Sequence, residues 1–61
     1  MAAKFQVYKD KAGEFRFRLI ATNGQTIAAS EGYTTKASVM NGIESVKENA
    51  AKAVIDDTTL A

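Results

Sequence analysis

The chain has 61 residues, with eight Lys plus Arg against seven Asp plus Glu, no His and no Cys, and a formal net charge of +1. Those totals exclude disulfides, thiolate chemistry and the usual zinc ligands, and a sequence pI near 8.0 is below the value above about 9 that marks a strongly basic nucleic-acid binder. A chain this short buries only about 60% of the surface its unfolded form exposes, so oligomerisation is the remaining way to reinforce it.

Residues 4–9 read as a first strand, in which Phe5 and Val7 point to one side and Gln6 and Tyr8 to the other. "KDKAG" follows, where Gly13 can take the positive φ of a hairpin loop. Residues 14–21 alternate most clearly, with Phe15, Phe17, Leu19 and Ala21 on one face and Glu14, Arg16 and Arg18 on the other. Asn23-Gly24 between two alternating runs signals a second hairpin. Residues 25–30 then supply a third strand, with Ile27 and Ala29 directed inward. The expectation is a three-stranded antiparallel meander with an apolar inner face and a wet outer one.

From Thr34 the period changes. Val39, Ile43, Val46 and Ala50 recur at helical spacing, flanked by Met40 and Ala53, so a helix over about residues 35–50 should cross the inner face. Thr34 or Thr35 is a natural N-cap, Gly32 allows the tight turn into it, and Tyr33 is expected to staple the corner by packing near Met40. Asn49 is the candidate left-handed cap at the far end. Gly42 stands inside the helix at roughly 1 kcal/mol against alanine, and the expected compensation is close approach of another backbone. The β-branched stretch around Val54 and Ile55 reads as a fourth strand, residues 53–58. The fold class is therefore α+β, a β-β-β-α-β unit with Phe5, Val7, Phe15, Phe17, Leu19, Ile27, Val39, Ile43 and Val46 as its core.

The residues that carry chemistry are few. Ser30, Ser38 and Ser45 have no histidine to serve as base, and consecutive Asp56 and Asp57 in a strand point to opposite faces, so neither catalysis nor a metal or other cofactor is expected. The outer sheet face presents Tyr8, Arg16 and Arg18, an aromatic and two arginines within cross-strand reach. That pattern stacks bases and neutralises phosphates on single-stranded nucleic acid. The near-even charge favours the plainer reading of a solvated sheet face, with arginine stems covering the tyrosine. A second candidate is an anion held at the helix start by Thr34, Thr35 and Lys36, where simple capping is the stronger reading. No apolar run approaches the roughly 18 residues of a membrane span and the N-terminus lacks the apolar core of a secretory leader, so the cytoplasm is the expected location.

The strings "VYKDKAGEFRFRL", "NGQTIAASEGYTTKAS" and "NGIESVKENA" resemble the YegP-like family, small bacterial and archaeal proteins of unknown function, over about Lys4 to Ile55. The ordered set Arg16-x-Arg18, Asn23-Gly24, Glu31-Gly32-Tyr33 and Asn41-Gly42-Ile43 carries the resemblance. It implies one copy of a unit that dimerises with itself, the two units joining in a single sheet and exchanging their C-terminal strands. It implies no catalytic or binding residue. Ile20 and Met40 depart from the pattern by being more apolar, and Ile20 lies on the outer face by alternation.

Overall fold

The computed structural model describes residues 2–59. Two hairpins of the same build set the sheet. In the first, the Gly13 N–H donates to the Asp10 carbonyl at 3.0 Å and the Asp10 N–H to the Glu14 carbonyl at 2.9 Å. In the second, the Gly24 N–H donates to the Ala21 carbonyl at 2.9 Å and the Ala21 N–H to the Gln25 carbonyl at 2.8 Å. Each is a three-residue loop whose last residue must take a left-handed conformation, and glycine does so at φ +82° and +88°. Asn23 does not adopt that conformation; its Oδ1 accepts from the Gln25 N–H at 3.1 Å instead.

These loops connect β1 (Lys4–Lys9), β2 (Phe15–Ile20) and β3 (Thr26–Ala29), and α1 (Lys36–Asn49) follows. The sheet is antiparallel in the order β1-β2-β3. Val7 opposes Phe17 and Phe5 opposes Leu19 on the inner face, while Gln6 opposes Arg18 and Tyr8 opposes Arg16 on the outer. On the other side Leu19 faces Ala28 and Arg18 faces Ala29, but Ile20 faces Thr26, so the register slips by one residue. Ile27 is that extra residue, and it is 61% exposed. The inward placement expected for Ile27 and Ala29 is therefore corrected: a bulge inserts one residue, and one residue flips the alternation that follows.

Phe17, Val39 and Ile43 form the buried core, with Phe5, Val7, Phe15, Tyr33 and Val46 packed around them. Phe5 meets Phe17 edge-on at 5.8 Å between ring centres, a favoured aromatic geometry. The helix presents Val39, Ile43 and Val46 to β2 and leaves Met40 largely in solvent. Its main packing is against β2, and β3 is exposed along its whole length.

Thr35 is the N-cap: its Oγ1 accepts from the Ser38 N–H at 3.0 Å, and its extended backbone stops the helix from starting earlier. The far end differs from expectation. Asn49 is the last helical residue, Ala50 after it stays right-handed, and the Asn49 amide donates back to the Ser45 carbonyl at 2.9 Å. Its carbonyl accepts from the N–H groups of Lys52 and Ala53, which closes a turn without a left-handed residue. Beyond it, the fourth strand expected at 53–58 does not form within the chain. Residues 53–57 join no ladder, and Val54 and Ile55 are 88% and 95% exposed.

Phe17 touches both aromatic partners and the helix, so Phe17→Ala should cost roughly 3–5 kcal/mol, read from denaturant unfolding. A variant with an unchanged midpoint would place the core elsewhere.

Candidate functional site

The segment from Ser30 to Thr35 joins sheet to helix, and its residues are explained by where β2 finds its hydrogen bonds. The Ser30 N–H donates to the Phe17 carbonyl at 2.9 Å, as in a normal ladder. The return bond is made by the side chain: the Phe17 N–H donates to Ser30 Oγ at 2.9 Å. Glu31 and Gly32 then bow out, and the chain re-pairs at Tyr33, which exchanges both backbone bonds with Phe15 at 2.7 and 2.8 Å. At Gly32 the Glu14 side chain lies where a Cβ would be, with Cδ at 2.8 Å, so a larger residue there would displace that carboxylate arm.

Re-pairing at Tyr33 puts its ring against Phe17, with centres 6.4 Å apart and planes 24° from parallel. The same ring lies across Gly42, where a Cβ would come within 2.8 Å of Tyr33 Cζ and closer still to the hydroxyl oxygen. The mid-helix glycine is thus compensated by an aromatic side chain from its own chain, not by an approaching backbone. Tyr33 serves as a core spacer between β2 and α1. The signal for this in the sequence was the pairing of Gly42 with an aromatic at the corner.

The outer face separates the two arginines. Arg16 Nε donates to Asp10 Oδ2 at 2.6 Å, and its Nη1 donates to the Ser30 carbonyl at 3.3 Å, the carbonyl that the ladder left free. Asp10 Oδ1 accepts from the N–H groups of Ala12 and Glu14, both at 2.9 Å, so one carboxylate ties the first loop to Arg16. The Arg16 guanidinium, followed by the Glu14 N–H, holds the Asp10 carboxyl below the ordinary carboxylate value, and Asp10 raises Arg16 in return. Arg18 has no such partner. Its guanidinium carbon lies 4.1 Å from the Tyr8 ring centre, and its Nε is shielded without an acceptor among the described residues. Of the three residues expected on this face, Tyr8 and Arg18 form a stack and Arg16 is committed to holding the fold.

At the helix start, Thr35 spends its hydroxyl on the cap and bonds Ser38 Oγ at 2.9 Å, Thr34 is exposed, and Lys36 is the first helical residue. Asp57 accepts from the Thr59 hydroxyl and N–H, which lowers its carboxyl, and it turns locally rather than facing Asp56. Among the described residues no group of three acidic side chains converges as a metal site, and no helix is long and apolar enough to cross a membrane.

Residues 10–57 match the family described as a domain of unknown function, DUF1508. The chain is 60% identical to the UPF0339 protein Atu5359 of Agrobacterium fabrum over 57 residues, 92% of each chain. It is 64% identical over 50 residues to a UPF0339 protein from the ptx operon 5′ region of Stutzerimonas stutzeri, covering 45% of that longer protein. Among solved structures, a protein from Haloferax volcanii superposes with a TM-score of 0.85 at 42% identity, covering 92% of this chain and 95% of that one. The protein ATU0232 from Agrobacterium tumefaciens superposes with a TM-score of 0.78 at 54% identity, covering 93% and 92%. The names of these relatives assign no activity.

Two outcomes follow from this geometry. Gly42→Ala should lower stability despite the roughly 1 kcal/mol that alanine adds to a helix, and the same change should stabilise a Tyr33→Ala background; a double-mutant cycle on melting curves measures that coupling. The second outcome concerns acid. Because the folded Asp10 carboxyl is lowered from its ordinary value of 3.8, its contribution is full above that value and is lost as pH falls through the folded one. The gap in melting temperature between the wild type and Asp10→Asn should be widest above about pH 5 and should close toward pH 2. A gap independent of pH would show that the carboxylate charge plays no part.

Proposed function

We propose that this chain, which belongs to the DUF1508 family of small YegP-like proteins, works as a homodimeric structural and interaction module without catalytic activity of its own. In this reading two copies exchange the segment around Val54 and Ile55. The observation that carries it is that segment: two large aliphatic side chains stand 88% and 95% exposed on a stretch of backbone that joins no ladder. Burying each would contribute roughly 1.5–3 kcal/mol, a large share for a domain of this size.

The receiving surface is the β3 side of the sheet. There Ile27 and the small residues of an edge strand face solvent. Unpaired edges are normally paired or covered, and a second copy of the same tail has the apolar side chains and the backbone groups outside any ladder to do it. A relative of which this chain covers 45% has the length for two such units in one polypeptide, and two separate chains would reach the same arrangement by association. The non-catalytic part of the reading is supported by Thr35 and Ser38, whose hydroxyls bond each other at the cap rather than a base. The reading takes the cytoplasm as its setting.

Exchange makes folding and association one event. Sedimentation at micromolar concentration should give a dimer, and the melting temperature should rise with protein concentration. Truncation after Ala53 should lose the dimer and lower the melting temperature together. A compact folded monomer, equally stable with and without the tail, would end this reading.

A further inference from the structure

We propose that the outer face of the sheet binds single-stranded nucleic acid at Arg18, with a base stacking on the Arg18–Tyr8 pair and the adjoining phosphates drawn to Arg18 and Lys4. This rests on the outer face alone and does not require tail exchange.

The juxtaposition begins with cation accounting. Arg16 and Asp10 neutralise each other across 2.6 Å and hold the hairpin to Ser30. Arg18, two residues on, has no carboxylate within ion-pair distance among the described residues, where the pairs are Arg16–Asp10 and Lys47–Glu44. Its Nε has lost water without gaining an acceptor. An incoming oxygen cannot reach that shielded atom, so recognition falls to the two terminal nitrogens of the guanidinium, which are not shielded. The guanidinium carbon lies over an aromatic ring, 4.1 Å from its centre, which sets a planar cation against a π face.

The surroundings say what the acceptor belongs to. Arg18 is flanked across the ladders by Gln6 on β1 and Ala29 on β3. One neighbour can hydrogen-bond a base edge, and the other leaves the surface beside the guanidinium low and open. Lys4 and Ile20 oppose each other one pair further along the same face. No closed cavity exists among the described residues, whereas small molecules are usually held in concave sites. A flat sheet with a stacked aromatic and an uncompensated arginine suits a polymer whose bases lie flat and whose backbone is anionic.

The net charge of +1 conceals the distribution that matters. Four of the seven acidic residues, Glu44, Glu48, Asp56 and Asp57, belong to the helix and the tail. Of those near the sheet, Asp10 is spent on Arg16, the Glu14 side chain lies against Gly32, and Glu31 stands exposed in the connection beyond Ser30. The end of the outer face remote from Glu14 holds positive charge at Lys4 and Arg18, complementary to phosphate.

The test is fluorescence anisotropy with a labelled oligothymidylate of about a dozen nucleotides, titrated at low salt and then through a salt series. Saturable binding that weakens steeply with salt is expected. Arg18→Ala and Tyr8→Ala should each weaken it about tenfold or more. Arg18→Lys, which keeps the charge but not the plane, should also lose affinity and covers the case in which the alanine variant fails to fold. Tyr8→Phe should retain binding. Arg16→Ala should lower the melting temperature while folded protein still binds. Sedimentation of the same samples reports the dimer separately, so loss of one property is distinguishable from loss of the other. No binding by folded wild type, or equal affinity for wild type and Arg18→Lys, would overturn the proposal. So would binding that dextran sulfate displaces and Tyr8→Ala leaves unchanged, because that is unspecific attraction of polyanions.

Discussion

Strand β2 loses its regular ladder partner at Ser30 and regains one at Tyr33, and the position of the helix depends on how that gap is bridged. An N–H beside the core costs about 1–3 kcal/mol if left unpaired. Ser30 removes the problem at Phe17 by accepting with its hydroxyl. The Ser30 carbonyl, turned out of the ladder, is taken by Arg16, and Arg16 is fixed by Asp10 at the end of the first loop. With those groups satisfied, Glu31 and Gly32 can leave the sheet without orphaned polar atoms, and Tyr33 returns at the register that lays its ring on Phe17. The ring then determines how closely α1 approaches, because it fills the notch at Gly42. Two residues later Thr35 caps the helix.

Seen this way, the short strings that set this chain apart are mostly architecture. Glu31-Gly32-Tyr33 is the detour, Asn41-Gly42-Ile43 the notch and the adjoining core residue, and Asn23-Gly24 the end of a three-residue loop. Arg16-x-Arg18 divides in two. A relative at 60% identity and a solved structure that superposes at 54% identity are what such a set of interlocking constraints would be expected to produce.

What could be read from the sequence depended on how local its cause was. Alternation in residues 5–8 and 15–19 has period two and one buried face, so the inner and outer sets were legible, as was the stripe Val39, Ile43, Val46. Ile27 was misplaced because a single bulged residue reverses alternation, and nothing within four residues of strand announces the slip. Asn49 was misread because its amide found the Ser45 carbonyl, a bond that competes with the left-handed cap. Gly42 was recognisable as a close approach, but the group that approaches comes from nine residues earlier by way of the sheet. Arg16 and Arg18 are equivalent by pattern. They differ only because the hairpin carries Asp10 back beside one of them, a fact of register rather than of composition.

The same small size that makes the detour necessary also assigns the two faces of the sheet different work. One helix of 14 residues covers the middle of the inner face and leaves β3 bare. Among the described residues, the segment after α1 does not fold back onto it. The inner face and its open edge therefore hold the unburied aliphatic surface, and the proposed exchange between copies is the step that would use it. The outer face has no such demand on it. Its apolar content is slight, its one ion pair is internal to the hairpin, and its remaining fixed cation is stacked on an aromatic ring. Association through the inner edge would leave that surface open in both copies and, if the two sheets run on as one, would set two Arg18–Tyr8 stacks on the same side. A weak single contact becomes a stronger double one when both lie on one rigid body and the ligand is long enough to reach them. Assembly and binding would then be coupled through geometry alone, with no conformational change required of either unit.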